Sequence, residues 1–253
     1  QAVTGASGKE LEQLEAKARE LGATTKFSAT EAAEAMGYLG MAGFDTNQIM
    51  DSMADVLNLA AAGALDLGRA ADISSNIMSA FGIEAAEMGR VADVMASAAA
   101  NANTDIEQLG TAMSYVGPIA GSMGVSLEES TAAIMKMSDA GIQGEKAGTA
   151  LRGIIASLAQ PTGQTAEKLQ ELGLSAEDVN PKTKSLAEIL ETLEKAGMSS
   201  ADAMELVGVE AGPGLAVLLE QGSSALKGQT TALQEADGAA AQMAETMSDN
   251  TKG

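Results

Sequence analysis

Residues 42–50 read AGFDTNQIM, with Ala- and Met-rich runs on either side. The order glycine, apolar, short polar has a physical reading as a joint between two helices. Glycine adopts left-handed dihedrals without a Cβ clash, so it commonly stands just past a helix end. The apolar residue after it packs back on the last turn, and an Asp, Ser or Thr beyond caps the next helix. Gly43-Phe44-Asp45 thus predicts stop, fold back, start. The same order recurs as GVS at 124–126, GLS at 173–175 and GMS at 197–199. Looser versions are GAL at 63–65, GIE at 82–84 and GIQ at 141–143. The predicted turn glycines are Gly43, Gly63, Gly82, Gly124, Gly141, Gly173 and Gly197, with Asn101 or Asn103 serving between Gly82 and Gly124. Through residue 141 the joints fall about twenty residues apart, a short helix plus a connection in an αα-hairpin series.

Composition agrees with helices. The 253 residues include 15 Met and no Trp, with only three Phe and two Tyr. Ala, Leu, Met and Glu favour helix, and the β-branched and aromatic residues that strands use are scarce. Without large rings the core has to be thin, closely spaced and filled by Met. The expected fold is all-α: a compact array of short antiparallel helices, flanked by long-helix stubs. Net charge is −20, and no Lys/Arg cluster is visible, which argues against binding nucleic acid or anionic membrane through phosphates. The absence of Cys leaves no disulfide framework. The first residues, QAVTGASGKELEQ, lack a signal peptide's charged start and apolar run, and both ends read as cut from a longer chain.

The faces along the chain fit this plan. In 47–62 the apolar stripe is Ile49, Met50, Met53, Leu57 and Ala61; in 185–196 it is Leu186, Ile189, Leu190 and Leu193. Pro161, Gly163, Gly173 and Pro181 mark a connector around one short helix, 164–172. Gly212-Pro213-Gly214 predicts a helix break. At the ends, Ser7-Gly8-Lys9-Glu10 is a capping-box pattern ahead of Leu11, Leu14, Ala18 and Leu21, while Leu226, Leu233, Ala240 and Met247 are seven apart. The divisions are 1–27, an N-terminal helix stub; 28–159, the main helical block; 160–184, the connector; 185–222, a second block; and 223–253, a C-terminal stub. One stretch, 108–127, carries no charge over a span's length. Its Gly117–Pro118 centre reads as a turn between two helices.

A search for chemistry returns mostly negatives. With no His or Cys, neither a Ser–His nor a Cys–His pair can form. Gly144-Glu145-Lys146-Ala147-Gly148-Thr149 has phosphate-loop ingredients in the wrong order and reads as a loop before a helix near Thr149. Ser224-Ala225-Leu226-Lys227 matches SxxK without its partner motifs. Asp45-Thr46-Asn47 starts like a calcium loop but has Met50 where the tight-turn glycine belongs. Asp51 and Asp55 sit one turn apart, as solvated faces usually do, and Arg69, Arg90 and Arg152 stand isolated among small residues. No catalytic, cofactor or metal site is expected.

Four blocks carry a resemblance: MGYLGMAGFDTNQIMDSMADVLNLAAAGALDLGRAADI at 36–73, FGIEAAEMGRVADVMA at 81–96, VGPIAGSMGVSLEESTAAIMKMSDAGIQGEKAGTALRGI at 116–154 and AGMSSADAMELVGVEAGPGLAVLL at 196–219. Their order and spacing over 27–225 resemble the core region of phage tail tape measure proteins. The resemblance implies a structural virion protein, packed inside the tail tube, whose overall length sets tail length and which leaves ahead of the DNA. It implies tail tube and tail tip proteins, tail assembly chaperones and other copies of itself as partners, with contact with the host membrane during ejection. It implies a location in the virion, after assembly in the host cytoplasm, and no catalytic residue or cofactor. The competing readings are a membrane-active helical module and a carboxylate-pair cell-wall glycosidase. Drawn out as one helix the chain would span about 380 Å; the turn signals predict instead a folded section with a radius of gyration near ~18 Å.

Overall fold

The computed structural model describes residues 8–250, and among these are thirteen α-helices and no strand. The chain divides into two units, residues 1–97 with 236–253, and residues 98–235.

The first unit holds α1 (Lys9–Thr24), α2 (Ala29–Met41), α3 (Thr46–Ala62), α4 (Leu67–Phe81), the opening of α5 (Met88–Asn101) and, from the far end of the chain, α13 (Ala239–Asn250). Here α2 packs on α1 and α4, and α3 packs on α4 and α13. The Gly43 joint shows how the sequence turns the chain. Gly43 lies at φ 94 and the Phe44 N–H donates to the Leu39 carbonyl at 3.1 Å, closing off α2. Asp45 then accepts from the Gln48 N–H, and the Gln48 side chain accepts from the Asp45 N–H, a reciprocal cap that starts α3. Ser28 and Glu31 start α2 in the same way. The Ser7 capping pattern lies outside the described residues; α1 begins after Gly8.

The second unit holds α6 (Ile106–Met123), α7 (Leu127–Asp139), α8 (Glu145–Ala159), α9 (Gln164–Glu171), α10 (Leu186–Lys195), α11 (Ala203–Gln221) and α12 (Ser223–Gln234). Its helices approach through small residues. A Cβ on Gly148 would come within 2.3 Å of the Ala112 carbonyl oxygen, so α8 lies backbone-to-backbone on α6. A Cβ on Gly153 would meet Ala211, and one on Gly214 would meet Ala150, which seats α11 on the other side of α8. The thin core read from composition is built this way: Met113, Leu151, Ile155 and Leu215 fill what the glycines and alanines leave.

Several sequence expectations differ from the structure. Gly117–Pro118 is no turn: α6 runs unbroken through Pro118. Proline deprives the Ser114 carbonyl of its donor, but Ser114 and Pro118 both face water, where solvent can replace the bond. The break in α11 is at Gly208 (φ 83, ψ 169), ahead of the predicted 212–214 site, and Pro213 sits in the first turns after it. α8 starts at Glu145, so Thr149 lies inside it. On α3, Ile49 and Met53 are fully buried with Val56, Leu59 and Ala60, while Met50, Leu57 and Ala61 are only half-buried. Leu57 and Ala61 border a groove of about 610 Å³ that Ala241 and Ala244 of α13 line from the other side. At the second of the predicted glycine joints the left-handed residue is Ala64 (φ 50), and Gly63 is right-handed at φ −89. Neither Asn101 nor Asn103 is left-handed; the Asn103 N–H donates to Asp139. Finally, the seven-residue run 226–247 is split between α12 and α13 by a bend at 235–238, with Gly238 at φ 76.

Candidate functional site

Gly43, Gly82, Gly124, Gly141, Gly173 and Gly197 all have positive φ, and each follows the end of a different helix. They are scattered through both units and gather into no common site.

A polar groove of about 560 Å³ lies in the second unit, walled by α7, α10 and α12. Glu129 organises it. This carboxylate caps its own helix through Ser126 and also accepts the Leu186 N–H at 3.0 Å, so it holds the starts of α7 and α10 together. Burial pushes its pKa up, against the lowering effect of those two amide hydrogen bonds. Sequence reading passed over Glu129, although Ser126 and Glu129 have the capping-box spacing that marks it. On the opposite wall stand Ser224 and Lys227, the SxxK pair. Glu188 and Glu191 lie below their usual range, Glu188 chiefly through its hydrogen bonds from Ser185 and Glu191 chiefly through Lys195, with Lys227 a minor positive neighbour of both.

A second cluster clamps α9 to α11. Lys168, with its side chain only 13% exposed, reaches Asp202 at 2.7 Å and Glu205 at 2.8 Å. These bonds raise the Lys168 pKa and, with the Ser199 cap, depress that of Asp202. One turn earlier on α9, the Thr165 hydroxyl donates to the Leu206 carbonyl at 2.7 Å, beside the Gly208 break. The kink takes the Leu206 carbonyl away from regular helix pairing, and Thr165 supplies a donor.

In the first unit the solvated face read for Asp51 and Asp55 holds for Asp51 and only in part for Asp55. Asp51 is exposed; Asp55 is half-buried against α5 and faces Asp93. Burial, then the Asp93 charge, pushes the Asp55 pKa up. Both Asp93 oxygens are occupied, accepting the Gly238 and Ala240 N–H groups at 2.9 Å each. The other motifs resolve into local structure. Asp45 is a helix cap, Glu145 bonds the Tyr115 hydroxyl, and Arg69 and Arg90 pair with Asp72 and Glu87 one turn away. Among the described residues no group of His, Cys, Asp or Glu could hold a metal ion, and no helix is long and apolar enough to cross a membrane.

These are the features of a helical scaffold, and sequence comparison says of which kind. The profile of the phage-related minor tail protein family matches residues 15–236. The chain belongs to that family. Among its relatives is the tape measure protein of Pneumococcus phage Dp-1, 43% identical over 99% of this chain and 22% of the relative. The probable tape measure protein of Escherichia phage P2 is 31% identical over the whole of this chain and 32% of its own length. The chain thus spans less than a third of either relative. No solved structure matches it. In this phage-related minor tail protein the matched region covers all the helices from α2 to α12.

Proposed function

We propose that the chain is a folded section of a phage tail tape measure protein, a structural component of the virion. The observation that carries this reading is the 43% identity to a tape measure protein across 99% of the chain. The section acts by packing. Its glycine joints fold helices back on one another, so it contributes less length to the ruler than its residue count allows, and the extended measuring falls to chain outside it. Partners are the other tail components and further copies, met after synthesis in the host cytoplasm; no chemistry is required of the groove or the clamp. The uncharged 108–127 stretch supports no membrane reading, because α6 packs against α7 and α8.

Deleting the gene region that encodes this section should abolish tails of defined length, scored by electron microscopy of particles. Normal tails from the deletant would overturn the assignment. In-frame duplication of residues 28–222 separates folded from extended: a continuous helix would lengthen the tail by about 290 Å, whereas a folded section should add well under half of that.

A further inference from the structure

The first unit begins with α1 and is completed by α13, while residues 98–235 form a unit of their own between them. The second unit is therefore an insertion in the first. The chain on either side of the insertion is tied together inside the first unit. Asp93 accepts the Gly238 N–H through Oδ2 and the Ala240 N–H through Oδ1, each at 2.9 Å, across 145 and 147 residues of chain. Hydrogen bonds to a carboxylate are the stronger kind. Asp93 also stands at the N-terminus of α13, where the helix dipole favours a negative charge.

Beyond the tie, α13 packs along α3, and within the first unit only the pairing of α2 with α4 is more extensive. Ala240 and Ala244 are buried, as are Ile49, Met53, Val56 and Ala60 of α3. Closing so long a loop costs chain entropy, which this packing and the two amide bonds offset.

A pull on the two ends of such a fold travels through the contacts that join them. While α13 holds to α3 and Asp93 holds the start of α13, those contacts lie wholly within the first unit. A loop whose two ends are fastened to each other carries none of the load. We infer that the first unit is a clasp that keeps tension off the second: residues 98–235 bear no load until α13 is torn from α3 and the Asp93 bonds break. This follows from the path of the chain and does not rest on the reading as a tape measure section.

Single-molecule stretching of the full chain tests the clasp. Without native cysteine, handles can be attached at Lys9→Cys and Thr246→Cys, both exposed. Unfolding of 98–235 adds about 480 Å of contour length, and in the parent this gain should never be the first event. Asp93→Ala should shorten the lifetime of the closed state at constant force about ten-fold, because forced opening follows the unfolding rate. Gly148→Ala, which crowds α8 against α6 inside the second unit, should leave that lifetime unchanged. With handles moved to Asn103→Cys and Glu235→Cys, which load the second unit directly, the same Gly148→Ala change should shorten the lifetime at least ten-fold. A 480 Å gain that comes first in the end-pulled parent overturns the clasp. So does a first event that Gly148→Ala hastens when the chain is pulled from its ends, or one that Asp93→Ala leaves unchanged.

Discussion

At Ala64 the chain puts a methyl-bearing residue where six other joints put glycine. The reason is a one-residue shift. The apolar residue that donates back across the joint is Leu65, bonded to the Ala60 carbonyl, so the left-handed place falls after Gly63. Ala64 is exposed and its methyl group packs on little. Ala64→Gly should therefore raise stability by about 0.5–1 kcal/mol, and Gly43→Ala should lower it by about 1 kcal/mol, because nothing near Gly43 offsets the strain. Chemical denaturation followed by circular dichroism reads both; opposite signs would refute the account of the joints. Glu129 gives a pH test at the same scale. Its folded pKa is raised, chiefly by burial, so its protonated form fits the fold better and the stability it contributes is present at acid pH and lost as pH rises. Glu129→Gln keeps an acceptor for the Leu186 amide without the buried charge. Its melting temperature should equal or exceed the parent's at pH 7, with the difference closing as pH falls to about 4. A large loss at pH 7 would show that the charge itself ties α7 to α10.

Helix by helix, the packing is more demanding than the turns. Gly148→Ala would drive a methyl group into the α6 backbone, against an Ala112 oxygen that cannot rotate away. It should cost about 1–3 kcal/mol, whereas Gly37→Ala, in open space on α2, should be neutral or stabilising. The Lys168 clamp makes a third kind of joint. Asp202 has a depressed pKa, so the stability it gives is present above the ordinary carboxylate pKa and lost as pH falls through its lowered value. Exchange protection across α9 and the start of α11 should drop in acid before that of α6 and α8; simultaneous loss would count against a separate clamp. Much of this level was legible in the sequence. The Leu186, Ile189, Leu190 and Leu193 stripe is buried as spaced, and six of the seven predicted glycines are left-handed. What was not legible depended on surroundings. Pro118 leaves α6 intact because its gap faces water, and Gly208 breaks α11 where α9 provides Thr165 as a substitute donor. Asp93 was invisible because its partners lie 145 and 147 residues onward.

At the scale of the whole chain, the glycine joints lead to one claim: this member of the phage-related minor tail protein family folds its helices back on one another. Each unit buries its apolar residues between helices distant in sequence, with α8 on α6 and α13 on α3. A straight helix could not do that. The direct measurement is the distance between spin labels on Ser114→Cys in α6 and Lys146→Cys in α8, both exposed positions in a chain without native cysteine. Packed neighbouring helices lie about 8–10 Å apart between axes, so the labels should be separated by less than about 25 Å. A continuous helix through the same residues would hold them about 48 Å apart. The folded account predicts a narrow distribution at the short distance, and a dominant population near the longer one would contradict it.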